Sequence, residues 1–275
     1  MLRRPQQGTA SADYISEKQL GTKIAVIYRN DDVYSSGIYE KFKARQKPTA
    51  WKLYPPQPSP MQAPMISPFS WEKTKSAGAD LLFLPIYYQP ASLILKQASD
   101  MGYTPTVFGV DGMDGILTLE GFDTSLAEGV MLLTPFNADA EDEKTKSFVS
   151  KYKEQFGDVP NQFAADAYDC VYAYKTALEN SGATADMTAE ELCEKMIQSF
   201  TSMTFDGLTG EGVTWDSTGA VSKSPKGMII AKRRICGSVI QRTAHNTNTA
   251  GERAIISDRL LPCSLLQSLV QGGSL

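Results

Sequence analysis

Side chains with the types and spacing that catalysis needs are scarce here. The one histidine, His245, sits in a tail without periodicity, which removes the commonest general base. Cys170, Cys193, Cys236 and Cys263 lie far apart with no C-x-x-C pair, so neither a zinc site nor a disulfide framework is expected. No G-x-G-x-x-G, P-loop, G-x-S-x-G or H-E-x-x-H occurs, and Gly109, Gly112 and Gly115 have the wrong spacing for a dinucleotide loop. The inventory predicts no enzyme, no metal and no cofactor. Groups suited to gripping a small ligand stand instead where apolar runs give way to loops: Asp111 in GVDGMDG, Tyr34 in NDDVYSSG and Tyr87 in LPIYYQP. Each has a plainer reading. Asp111 beside Gly112 suits an ordinary turn, and Tyr34 suits an exposed aromatic opening the next helix. Tyr88 competes with Tyr87, because a one-residue shift at a strand end reverses the face. Asp114 reads as a turn or cap residue.

The elements that must position these residues follow from the hydrophobic pattern. From about Thr9 to Phe42 the chain runs through a helical stretch ADYISEKQL, a strand KIAVIY, a polar loop RNDDVYSSG and a helix start IYEKF. A second β-α unit follows in ADLLFLPIYYQPASLILKQASDMG, whose run from Leu81 to Ile86 suits a strand buried on both faces. TPTVFGVDG and GVMLLT add two strands. Repeated units of this length predict an α/β fold with a doubly wound parallel sheet over residues 7–134, and ligands at the carboxyl ends of its strands. Over residues 135–230 the character becomes helical, in EDEKTKSFVSKYKEQF, QFAADAYDCVYAYKTALENSG and TAEELCEKMIQSF. In the middle helix Phe163, Ala167, Cys170, Val171 and Tyr174 recur at spacings of three and four, an apolar stripe that needs a sheet to cover it. Cys170 and Cys193 fall inside helical patterns and read as core residues.

Two segments resist this scheme. Between Glu40 and Glu72 there is no acidic residue and seven of the 15 prolines fall there, so strand and helix are both hard to write through it. The tail from Ala231 to Leu275 loses periodicity and holds six basic residues against two acids. A Pro-rich linker and a disordered tail are the ordinary explanation of such composition. The genetic code supplies a sharper one. Back-translating Ala50 to Trp71 with free wobble bases, and reading from the third base of the first codon, gives LEVVSAATFTDAGSNDFTVQL without a stop. That is a strand and a helix start. The same operation on Ala231 to Ile240, shifted by one base, gives QKGVYVAL and then a stop codon. Residues 43–71 and the tail 231–275 are therefore expected to be out of frame.

The remaining pieces, in order, are QGTASADYISEKQLGTKIAVIYRNDDVYSSGIYEKF, GADLLFLPIYYQPASLILKQASDMG, FGVDGMDG, EGVMLLT and FAADAYDCVYAYKTAL. Their order and spacing, over roughly 7–42 and 73–230, resemble the type I periplasmic-binding-protein family. The nearest likeness is to the leucine, isoleucine and valine binding proteins of ABC transporters. The resemblance implies two α/β lobes joined by crossing strands, with an amino acid enclosed between them. It implies Asp111 against the substrate ammonium, although some relatives place Glu there, and Tyr34 and Tyr87 as ligand-contacting tyrosines. It implies that the donors for the substrate carboxylate come from first-lobe loops, that this chain starts near the first crossover, and that the helices of 135–230 return to that lobe. Their apolar stripe is then expected to be exposed. The partners implied are a small-molecule amino acid and the membrane permease subunits of an ABC transporter, with a periplasmic or lipid-anchored cell-surface location. LLQSLVQGGSL, at the chain's end, resembles the opening of such a permease. The alternatives are a ligand-sensing regulator built on the same lobe, for which no DNA-binding or signalling module is visible, and an inactive fragment.

Bulk properties agree with this reading. A chain of 275 residues with 42% hydrophobic content has room for one large or two ordinary α/β domains. A formal charge of -4 and a pI near 5.2 give no general attraction to nucleic acid or an anionic membrane face. No apolar run reaches the roughly 18 residues of a membrane helix, since Pro85, Gln89 and Pro90 interrupt the stretch from Leu81 to Leu95. The opening MLRRPQQGTA has basic residues but no apolar h-region, so no secretory signal is expected within this sequence.

Overall fold

The computed structural model describes residues 4–45, 52–53, 57–58, 74–76 and 78–237. Its centre is a parallel run of four strands in which β1 (Lys23–Tyr28) neighbours β4 (Leu81–Leu84), then β5 (Thr106–Gly109), then β6 (Met131–Thr134). On the outer edge of β1 lie two short parallel strands, β2 (Lys52–Leu53) against Lys23 and Ile24, and β3 (Gln57–Pro58) against Ile27 and Tyr28. The opposite edge is an antiparallel hairpin, β7 (Lys226–Ala231) on β6 and β8 (Arg234–Gly237) on β7. The order β2-β1-β4-β5-β6 makes the chain reverse its direction of travel at β1. In such sheets the crevice at the carboxyl ends of the strands flanking the reversal is where ligands bind.

Both faces of the sheet are covered, as the expected all-apolar strands require; every residue of β4 and β6 is buried. Successive side chains alternate between two cores. Ala25, Ile27, Leu82, Leu84 and Leu132 point to one face, where Ala91, Ile94, Leu95 and Ala98 of α3 (Tyr88–Asp100) meet them with Met113 and Ile116. Ile24, Val26, Leu81, Phe83, Phe108 and Leu133 point to the other, where α1 (Arg4–Lys18) brings Ala12 and Ile15, and α2 (Val33–Arg45) brings Ile38, Tyr39 and Phe42. Phe42 and Phe83 stack there with ring centroids 4.2 Å apart.

Local chemistry sets the boundaries. The strand expected from Leu81 to Ile86 ends at Leu84 because Pro85 has no N–H to offer the ladder. Helix α2 begins at Val33, five residues before the expected start, since the Asp32 carboxylate accepts the Tyr34 N–H at 3.0 Å and caps the first turn. Tyr34 is therefore a buried first-turn residue and not an exposed aromatic. Chain from Ala231 was expected to lack regular structure, yet it pairs as β8 up to Gly237, around a two-residue turn in which Lys232 and Arg233 take left-handed φ of 52° and 61°. Residues 238–275, and most of 46–73, lie outside the described residues.

After β6 come three helices, α4 (Glu143–Phe156), α5 (Gln162–Ser181) and α6 (Ala189–Ser202). Each has a side-chain cap: Asp142, Asn161 and Thr188 accept from backbone N–H groups of the first turn, and Thr188 with Glu191 forms a full capping box. Helix α5 is packed inside out. Its buried residues are Gln162, Ala165, Asp166, Asp169, Ala173 and Ala177, while Val171 is 68% exposed and Tyr174 62%. The apolar stripe is thus uncovered, as expected. Cys170 lies on it, and both it and Cys193 are free and exposed, not core residues, because burial in this layer follows the alanine and aspartate face.

Stability should divide along this line. Phe83→Ala, which empties the centre of one core, should destabilise by about 3–5 kcal/mol, whereas Val171→Ser with Tyr174→Ser should stay within about 0.5 kcal/mol of the parent. Urea denaturation measures both, and light scattering should show less self-association for the double variant.

Candidate functional site

Three loops meet at the carboxyl ends of β1, β4 and β5. The first turn of α2 supplies Tyr34, the β4–α3 junction supplies Tyr87, and a short 3-10 turn over Asp111–Met113 supplies Asp111. The Tyr34 hydroxyl donates to Asp111 Oδ1 at 2.5 Å and accepts the Gly112 N–H at 2.9 Å, so one phenol joins the loops after β1 and β5. The Tyr34 and Tyr87 rings stack with centroids 4.6 Å apart. Gly112 permits this approach: a Cβ there would lie 2.7 Å from the Tyr34 hydroxyl and 3.2 Å from the Ile86 carbonyl oxygen.

Tyr87 and Tyr88 lie on opposite faces. Tyr87 packs with Tyr34 in the core of α1 and α2, while Tyr88 packs on the opposite face, beside Gly115 and the α3 core. All three residues singled out in the sequence come together, and Tyr88 is separate from them. Asp114 does act as a cap, but for a distant helix: its Oδ2 accepts the Gln162 N–H at the start of α5, at 2.7 Å.

Electrostatically this is an acidic site in a dry setting. Asp111 is fully buried, and its Oδ2 has no hydrogen-bond partner. Burial raises its pKa, opposed by the Tyr34 hydroxyl and the Gln7 side chain. Asp114 is pushed up to about 6, chiefly by burial, with Asp111 and Asp166 adding repulsion against the backbone N–H groups of Gln162 and Gly115. Burial and the adjacent Asp111 raise the Tyr34 hydroxyl far above an ordinary phenol, so it stays a neutral donor. Asp166 is neutralised by Lys223 at 2.6 Å. Among the described residues neither Asp111 nor Asp114 has a basic side chain as partner. A buried carboxylate oxygen left unpartnered is able chemically to accept from a cation with N–H donors. Among the described residues no cluster of His, Cys, Asp and Glu could hold a metal ion.

Two participants were not found in the sequence. Gln7, fully buried on α1, lies with its Oε1 3.4 Å from the Tyr34 hydroxyl. Gln162, also fully buried, donates from Nε2 to the Asp111 carbonyl oxygen at 3.0 Å and accepts from Thr134 Oγ1 at 3.0 Å. Buried glutamines carry no periodic signal, and only their hydrogen-bond partners reveal them.

A family model described as periplasmic binding protein matches residues 4–231. The chain is similar to Leu/Ile/Val-binding protein homolog 3 of Brucella melitensis, 25% identical over 186 residues, covering 67% of this chain and 49% of that protein. It thus spans about half the length of that relative. Its fold is similar to a crystal structure of a leucine binding protein from Thermotoga maritima, with TM-score 0.73 and 22% identity over 86% of this chain and 65% of the other. A branched-chain amino acid transporter substrate binding protein from Streptococcus pneumoniae, solved with isoleucine, gives TM-score 0.73 and 23% identity over 85% and 64%.

Two outcomes test the site's internal chemistry. Tyr34→Phe strands the Gly112 N–H and Asp111 Oδ1 in a buried setting and should destabilise by about 1–3 kcal/mol in urea denaturation. A carboxyl that holds its proton more tightly folded than unfolded favours the fold while protonated. Asp114 should therefore add stability below about pH 4 that is lost as pH rises through about 6, on the order of 3 kcal/mol in all. Subtracting the melting-temperature profile of Asp114→Asn from that of the parent should isolate this slope; superimposable profiles would refute it.

Proposed function

The chain belongs to the periplasmic binding protein family, and on that premise we propose that it carries one ligand-facing lobe of the extracytoplasmic solute-binding component of an ABC transporter. Its ligand is a branched-chain or similar amino acid, and its partners are the transporter's membrane permease subunits. The observation that carries this reading is the orphaned Asp111 Oδ2, fully buried at the carboxyl end of β5, with its other oxygen bonded to a Tyr34 that stacks on Tyr87. An ammonium group supplies the N–H donors and the positive charge that oxygen lacks, and the tyrosine faces stabilise the same charge. Binding is recognition without bond-making, so no acid–base or nucleophilic role falls to any of these residues. The substrate carboxylate needs donors from a second lobe, and closure of two lobes over the ligand strengthens each charged contact by excluding water. The same reading holds residues 43–71 and the tail past Ala231 to be out of frame.

The lobe's own share of recognition is the amine end, and a ligand series exposes it. Chemical shifts of the Tyr34 and Tyr87 rings, followed on titration, should move weakly with leucine, isoleucine and valine, and equally with leucinamide. N-acetylleucine should leave them still, and Asp111→Asn should abolish every response. Binding of N-acetylleucine comparable to leucine, or no response to any amine, would sink the proposal.

A further inference from the structure

Gln162 opens α5 with its side chain fully buried and its backbone N–H, amide nitrogen and amide oxygen all engaged. Its N–H reaches Asp114 Oδ2, its Nε2 the Asp111 carbonyl oxygen, and its Oε1 receives the Thr134 hydroxyl. Thr134 ends β6, where the chain leaves the sheet for the helical layer, and its Oγ1 also accepts the Phe136 N–H at 3.4 Å. One side chain therefore ties the loop that carries Asp111 to the exit strand of the sheet. The amide donates to a carbonyl from one end and accepts from a hydroxyl at the other while staying neutral. A glutamate here would set a further carboxylate beside Asp111 and Asp114. The helix does not need this side chain for its own initiation, since Asn161 Oδ1 already accepts the Ala164 N–H at 3.1 Å.

We propose that Gln162 is a positioning residue, which holds the Asp111 loop in register with the end of β6 so that ligand engagement at Asp111 is passed to the segment after Thr134. The inference rests on Asp111 being the amine anchor. It extends that reading by giving the anchor a mechanical link to the helices.

Two readouts on Gln162→Leu test it, with Gln162→Glu, which keeps the shape and the acceptor, used if the leucine variant does not fold. Without ligand, hydrogen exchange at the amides of Gly112, Met113 and Asp114 should accelerate, while amides in the later turns of α5 keep their protection. Leucine affinity should fall about tenfold. Unchanged exchange overturns the proposal whatever the ligand, and accelerated exchange with unaltered affinity overturns the link to binding. Accelerated exchange in a parent protein that binds no amine would leave Gln162 as the loop's positioning residue and remove the amine reading alone.

Discussion

The hydrogen bond from Tyr34 to Asp111 is the contact on which the site depends. It spans 77 residues of sequence and joins loops from two different strands at a heavy-atom distance of 2.5 Å. Several features elsewhere exist to make it possible. Asp32 starts α2 early enough to turn the tyrosine inward, Gly112 clears space for the hydroxyl, and Phe42 and Phe83 fix α2 against the sheet. The phenol cannot ionise in that setting, so it remains a donor, and the carboxylate keeps one oxygen engaged and one available. Such an arrangement leaves the carboxylate's desolvation only half offset, which is unfavourable to the fold.

How much of this was legible in advance follows the range of the forces concerned. Strands β1, β5 and β6 could be read from local hydrophobic runs, because burial on both faces leaves an unmixed apolar signal. Asp111, Tyr34 and Tyr87 could be singled out because each stands at a strand end, where topology gathers loops. Their mutual distances were not legible, nor were the opposite faces of Tyr87 and Tyr88, since a face is settled only by the register of the whole strand. Gln7 and Gln162 were missed for a different reason: a buried amide is defined by long-range partners and leaves no local pattern. Cys170 was misplaced because it was read as a core residue, although it lies on the stripe expected to be exposed, and α5 turns its alanines and aspartates inward.

Family membership narrows function without fixing it. The chain spans about half of a curated relative, and the likeness to solved structures at 22–23% identity establishes the fold alone. The chain's own chemistry adds a buried Asp111 without a basic side-chain partner among the described residues, bonded to a Tyr34 that stacks on Tyr87 and lies 3.4 Å from Gln7 Oε1. A doubly wound sheet hosts many activities. The site, not the sheet, selects among them.

The inverted packing of α5 bears on how the protein responds to temperature. Its inward face combines small apolar clusters around Ala165, Ala173 and Ala177 with polar ties: Asp169 accepts from the N–H groups of Leu208 and Thr209, and Asp166 pairs with Lys223, which also donates to Thr209. The heat capacity of unfolding grows with newly exposed apolar area and falls with polar area. The two-faced sheet, dense in isoleucine, leucine and phenylalanine, therefore carries most of the curvature in the stability of this protein and weakens on cooling as its hydrophobic term fades. The helical layer, whose apolar clusters are smaller and are joined by buried polar ties, contributes less to that curvature.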